Sequence, residues 1–236
     1  MTTTYLAATT ILNYQHPTIQ DLVEQKKWRQ LTKEQAVKAA YYFIRDEIKF
    51  GYNRDDTIPA SEVLSDGYGQ CNTKSSLFMA LLRALHIPCR FHGFTIYNAL
   101  QRGAIPDYLM LLAPKRILHS WVEVELNGKW LNQEGFIIDK DFLEKIQNAF
   151  PSNEHFSGYG IDVPDLQKPE NEFNGESTYI QSGGIADDFG VFNAPDEFYA
   201  QYGSNLHGLK KFLYSYGLRH LINRNVKRVR QNGLKV

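Results

Sequence analysis

The chain has 236 residues, 43% of them hydrophobic and 22% charged, with 26 basic side chains balancing 26 acidic ones. That length supports one large domain with a full core or two small ones, and the even charge points to no strongly charged partner. Two cysteines make neither a disulfide framework nor a zinc cluster, no long apolar run reads as a membrane span, and Met1–Tyr5 lacks the basic start of a signal peptide. A reducing cytosol, where both thiols stay free, is the expected location.

In chain order, residues 1–17 read as an irregular or extended lead-in. Thr18 can cap a short helix through Gln30, with Ile19, Leu22 and Val23 inward. Leu31-Thr32-Lys33-Glu34 opens a stronger helix, in which Val37, Ala40, Tyr41, Ile44 and Ile48 share a face, and which ends near Phe50-Gly51. Tyr52–Gly69, with Asn53, Pro59 and several small residues, reads as a long loop, and such loops are more often functional than idle. Its Asp55, Asp56 and Asp66 suit a cation or a basic substrate, although solvated loop acids are commoner.

Gly67-Tyr68-Gly69-Gln70-Cys71 then turns tightly into a helix carrying Leu77, Phe78, Leu81, Leu82 and Leu85 on a wide apolar stripe. Cys71 falls at or just before the first turn. There the unpaired N–H groups favour an anion, which is expected to lower the thiol pKa and make a nucleophile. Pro88 ends this helix. Cys89–Tyr97 reads as a buried strand with Cys89 in the core, and residues 98–116 are mixed. Ser120–Leu126 and Lys129–Glu134 alternate around Asn127-Gly128, which predicts a hairpin with a type I′ turn.

Asp141–Phe150 looks helical, and residues 151–188 look mostly like loop. Ser204 can cap a last helix through Leu209, Phe212, Leu213, Leu218 and Leu221 towards Val226, with Gly217 weakening its middle. After Glu197 no acidic residue occurs, while Lys210, Lys211, Arg219, Arg224, Lys227, Arg228, Arg230 and Lys235 follow. A solvated face is the commoner meaning of such a stretch, and no nucleic-acid motif accompanies it.

The hairpin register places two residues together. A two-residue loop pairs Leu126 with Lys129, so Trp121 faces Glu134 and His119 faces Phe136. His119, Trp121, Glu134 and Phe136 then share one face, with Val122, Val124, Leu126 and Leu131 on the other. His119 and Glu134 become diagonal neighbours roughly 7–8 Å apart at Cα, within side-chain reach. Asn132 lies two residues further off, and Gln133 points to the other side. A thiol at a helix start, an imidazole and a carboxylate to orient it are the parts of a Cys–His–acid system: Cys71, His119 and Glu134. The Cys71 N–H is the natural first donor to an oxyanion. Tyr68, Gln70 and Trp121 are the candidate substrate-binding residues. His16, His86, His92, His155, His207 and His220 read as structural or solvated.

The same residues carry a family resemblance. Gly67-Tyr68-Gly69-Gln70-Cys71, the run Leu81–Arg90, His119-Ser120-Trp121-Val122-Glu123-Val124 and Gly128-Lys129-Trp130 resemble, in order, the core motifs of the transglutaminase-like superfamily. The resemblance covers about residues 35–145. It implies an α+β, papain-like transglutaminase-core fold, with the nucleophile helix packed on an antiparallel sheet. It also implies a Cys–His–acid triad and acyl transfer from amides through a thioester. Glu134 stands where the family usually has Asp, one methylene longer, and His86 and Cys89 replace the usual glycine and alanine. Extra β-sandwich domains and calcium dependence, known in the long animal members, are not implied here.

Residues 1–150 are therefore expected to form the catalytic domain, with 151–236 an extension packed on it. The expected substrate is an amide on a peptide, protein or small molecule, with an amine or water as acceptor and no cofactor or metal. The alternative is a catalytically silent binding or scaffolding module, docking through its basic tail.

Overall fold

In the structure, a computed structural model, residues 4–111, 113–152 and 154–234 are described. Helix α1 (Pro17–Gln25) starts one residue before Thr18, because the His16 ring accepts the Thr18 N–H and Pro17 suits the first turn. It ends short of Gln30, since Lys27 adopts a left-handed conformation and Trp28–Gln30 form a separate 3-10 turn. Helix α2 (Lys33–Tyr42) opens with a capping box, with Thr32 and Gln35 each accepting the other's N–H. It continues as a π-turn over Phe43–Glu47. Strand β1 (Lys49–Phe50) follows.

The segment expected to be loop contains helix α3 (Ala60–Asp66), which buries Ala60 and Val63. Pro59 precedes it and Gly67, at φ 69°, closes it, so its start and stop signals were present. Strand β2 (Tyr68–Gly69) pairs with β1 in parallel and leads into helix α4 (Cys71–Ala84), every residue of which is buried. Arg83 is retained inside because its guanidinium caps the carbonyls of Ala7, Cys89 and Asn193.

Beyond α4 come β3 (Cys89–Tyr97), a short helix α5 (Asp107–Met110), β4 (Arg116–Leu126) and β5 (Lys129–Gln133). The hairpin has the expected register, Leu126 opposite Lys129 through Val122 opposite Gln133. Asn127 and Gly128 take φ 53° and 80°, as a type I′ turn requires. Helix α6 (Lys140–Ala149) is capped by the buried Asp139.

Residues 151–188 hold more strand than expected: a small hairpin of β6 (Phe156–Gly158) and β7 (Ile161–Val163), and the start of β8 (Ile185–Phe192). The main sheet runs β5–β4–β3–β8, antiparallel throughout. β8 hides from pattern reading because Asp187, Asp188 and Gly190 interrupt its alternation and its register against β3 shifts twice. As an edge strand it tolerates charge, and its acids pair with Thr95, Arg116 and His92.

Helix α7 (Pro195–Tyr202) precedes a C-terminal stretch that is one helix only in outline. It consists of α8 (Gly208–Leu213), a π-turn over Tyr214–Leu218 containing Gly217, and α9 (Arg219–Asn232); His207, not Ser204, is the cap residue. Phe173, Ile180, Ile222 and Val226 join the same hydrophobic core as α4 and the sheet. Among the described residues no helix is long and apolar enough to cross a membrane.

Candidate active site

Cys71 opens α4, and the turn before it is stitched on both sides. A Cβ on Gly69 would meet Thr73 Oγ1 at 2.8 Å and Lys74 Cγ at 2.9 Å, so only glycine lets the chain approach the helix this closely. The Gln70 N–H donates to Thr73 Oγ1 (3.1 Å), and that hydroxyl donates to Asn53 Oδ1 (2.6 Å). Gln70 Oε1 accepts from the Asn53 N–H at 2.8 Å.

Asn72 ties this turn to β4. Its Nδ2 donates to the Leu118 carbonyl (3.1 Å), and its Oδ1 accepts from the Ser120 hydroxyl (3.0 Å). The residue after the thiol thus brackets His119 on both sides. His119 is fully buried, with Nε2 2.6 Å from Glu134 Oε1. Its Nδ1 is buried and has no hydrogen-bond partner among the described residues.

Glu134 lies one residue beyond β5. Its N–H donates to the Thr178 carbonyl, and its Oε2 accepts from the N–H groups of Ile180 and Gln181, both at 2.9 Å. Asn132 instead donates to the Tyr179 hydroxyl, and Gln133 to the Glu176 carbonyl. No signal in the sequence marks Ile180 or Gln181, because they contribute main-chain groups.

The thiol departs from expectation. Burial pushes the Cys71 pKa up, and the carboxylates of Asp56 and Glu134 push in the same direction. Only the N–H groups of Asn72 and of Cys71 itself favour the thiolate. Loss of water outweighs the first turn of a helix.

Cys71 sits in the wall of a cavity of about 380 Å³, with Tyr52, Gln70, Asn72 and Gln101 around it. The Tyr52 hydroxyl donates to Gln101 Oε1 at 2.7 Å. Asp56, also in this wall, accepts from Gln70 Nε2 and Asn205 Nδ2, both at 2.9 Å, and burial raises its pKa. Of the candidate substrate-binding residues, Gln70 lines the cavity with its amide already engaged. Tyr68 and Trp121 do not line it. The Tyr68 hydroxyl accepts from Arg219 (3.0 Å), while Trp121 packs on Phe94 and Tyr179.

The loop acids are also engaged. Asp55 pairs with Lys211, and Asp66 accepts from Asn53. Among the described residues no group of three or more His, Cys, Asp or Glu is placed to hold a metal ion.

The model of the transglutaminase-like superfamily matches residues 20–134, from within α1 to Glu134. This segment belongs to that superfamily. The transglutaminase-like segment carries Cys71, His119 and Glu134 on a papain-like transglutaminase core. A solved structure, that of a candidate cysteine protease from Cytophaga hutchinsonii, is 13% identical with a TM-score of 0.48. The match covers 83% of this chain and 48% of that one, so the chain spans about half that protein's length. No curated protein matches the chain. Ile180, Gln181 and the cavity wall from Ser204 to Ile222 lie beyond the transglutaminase-like segment.

Proposed function

We propose that the chain is a cysteine-triad enzyme that attacks amide carbonyls and carries the acyl group as a thioester on Cys71. The observation that carries this reading is the buried His119, held through Nε2 by Glu134 and left free at Nδ1. With a carboxylate accepting at Nε2, the neutral ring presents Nδ1 as a base. Residues 1–150 form the catalytic unit, and residues 151–236 complete it.

As Cys71 Sγ bonds to the carbonyl carbon, its proton passes to His119 Nδ1, and Glu134 stabilises the imidazolium. The N–H groups at the start of α4, on Cys71 and Asn72, receive the oxyanion. The C–N bond then breaks, the amine leaves with the proton from His119, and the acyl thioester remains. An amine or water attacks it, with His119 again the base. Because burial raises the thiol pKa, deprotonation accompanies attack instead of preceding it. The chemistry needs a reduced thiol, which suits a reducing compartment such as the cytosol.

Incubation with peptide and small-molecule amides, read by intact mass, should show acyl adducts on the wild type and none on Cys71→Ala. His119→Ala should lower kcat about 10²–10⁴-fold. A second reading, a catalytically silent binding module, is favoured by one observation, the raised thiol pKa. It prevails if amides bind without ever acylating Cys71.

A further inference from the structure

The cavity beside Cys71 is walled by polar, charged and aliphatic side chains, but most of its polar groups are already engaged. Around the thiol lie Tyr52, Gln70, Asn72 and Gln101, whose side chains already bond to one another or to neighbours. The remaining wall sets aliphatic side chains, among them Ile105, Leu109, Leu118, Leu206, Leu218 and Ile222, beside charged groups that pair with one another or with neighbours: Asp55 with Lys211, Arg54 with Glu62, and Asp56 with Gln70 and Asn205. At about 380 Å³ it falls in the range of small-molecule sites, and because most of its polar groups are already bonded within the protein, the surface left to a ligand is largely apolar. Exposed apolar side chains also occur on or beside the elements that supply Leu109 and Leu213 to the wall. Tyr108 and Leu111 on one side, and Leu209, Phe212 and Tyr216 on the other, are each more than half exposed.

That lining selects among amides. A glutamine side chain has two methylenes between its carbonyl and a peptide main chain. The polar main chain would then face aliphatic side chains and polar groups that already have partners. A linear aliphatic acyl group has its one polar function at the end that must reach Cys71. We propose that the acyl group transferred by Cys71 is a medium-length or long aliphatic chain lodged in this cavity. This rests on the acyl-transfer reading. In the first step the fatty amide's C–N bond breaks as the Sγ–C bond forms, and the thiol proton leaves on the amine through His119. Water or an amine then releases the chain as a carboxylic acid or a new amide.

The test uses acetyl, butanoyl and octanoyl p-nitroanilides beside a glutaminyl-glycine peptide. Burial of each methylene predicts that kcat/KM rises up to about fourfold per carbon. Leu206→Trp, which fills the cavity from a partly exposed position, should abolish that rise. Turnover that is flat or falling with chain length, or confined to the glutaminyl peptide, overturns the inference and leaves the acyl-transfer reading standing. A gain only when the chain is moved to the amine side also overturns it. If no amide acylates Cys71, the acyl-transfer reading fails, and titration of Cys71→Ala with acetamide and dodecanamide decides the rest. Binding that tightens with chain length sustains the cavity assignment, and no binding ends it.

Discussion

Glu134 divides its two oxygens between distant parts of the chain. Oε1 lies 2.6 Å from His119 Nε2, while Oε2 takes the N–H groups of Ile180 and Gln181. One carboxylate therefore orients the imidazole and is itself oriented by residues outside the transglutaminase-like segment. Glu134→Gln places an amide where only acceptors are satisfied. It should lower kcat by about 10²–10⁴-fold. Thermal unfolding measured beside the kinetics separates loss of ring orientation from loss of fold. Unimpaired turnover by Glu134→Gln would remove Glu134 from the proposed triad.

The raised thiol pKa predicts how Cys71 reacts with iodoacetamide. Its alkylation rate should keep climbing as the pH passes 8, with no plateau near neutrality. Asp56 adds negative charge beside the thiol, so Asp56→Asn should raise the rate at pH 8 severalfold. Cys71→Ala should leave only the slow signal of buried Cys89.

Lys74 lies one turn into α4, fully buried, with its Nζ on the carbonyls of Ile137 and Arg45. Burial, opposed by Asp139 and Asp46, pulls its pKa down to about 7 from 10.5. Between those values the unfolded chain binds the proton and the folded one does not, so stability rises with pH across this window. Relative to Lys74→Met, the wild type should gain up to a few kcal/mol between pH 7 and 10 in urea unfolding. A difference independent of pH would show that Lys74 does not titrate there.

Arg230 on α9 forks onto Asp139 at 2.7 and 3.0 Å, and Asp139 also accepts the Phe50 N–H and caps α6. Arg230→Met leaves a fully buried carboxylate with only the more distant Lys49, at 4.0 Å, as its cation and should destabilise by about 3–5 kcal/mol. Asp139's pKa is lowered; burial opposes the shift, and Arg230 is the leading group that drives it. The contribution is therefore present above the ordinary carboxylate value and is lost as the pH falls through the depressed one. Acid unfolding of the wild type and variant should converge at low pH. Parallel curves would show that the pair does not carry this stability.

What could be read from the chain alone followed from local chemistry. The Asn127-Gly128 turn set a register that carried His119 to Glu134, and the Gly67–Cys71 turn announced the start of α4. Leu31-Thr32-Lys33-Glu34 marked the start of α2. Long-range contributions left no such trace. β8 is an edge strand whose charged residues break its period, and the N–H groups of Ile180 and Gln181 belong to no residue type. The raised thiol pKa is not written in the local sequence, because burial depends on the tertiary surroundings of Cys71, whose cavity takes wall residues such as Tyr214 and Leu218 from far along the chain.

The Glu134 clamp and the cavity wall also have a bearing on synthesis. A chain emerges from the ribosome N-terminus first, at about 5–20 residues per second. Cys71, His119 and Glu134 are made before Ile180 and Gln181 exist, and before Leu206 to Ile222 wall the cavity beside the thiol. For several seconds the three side chains are present without the groups that aim and dehydrate them. A nascent chain should therefore offer an accessible, unguarded cysteine that the finished protein closes only with its last helices, so oxidative damage to Cys71 would be concentrated in newly made molecules.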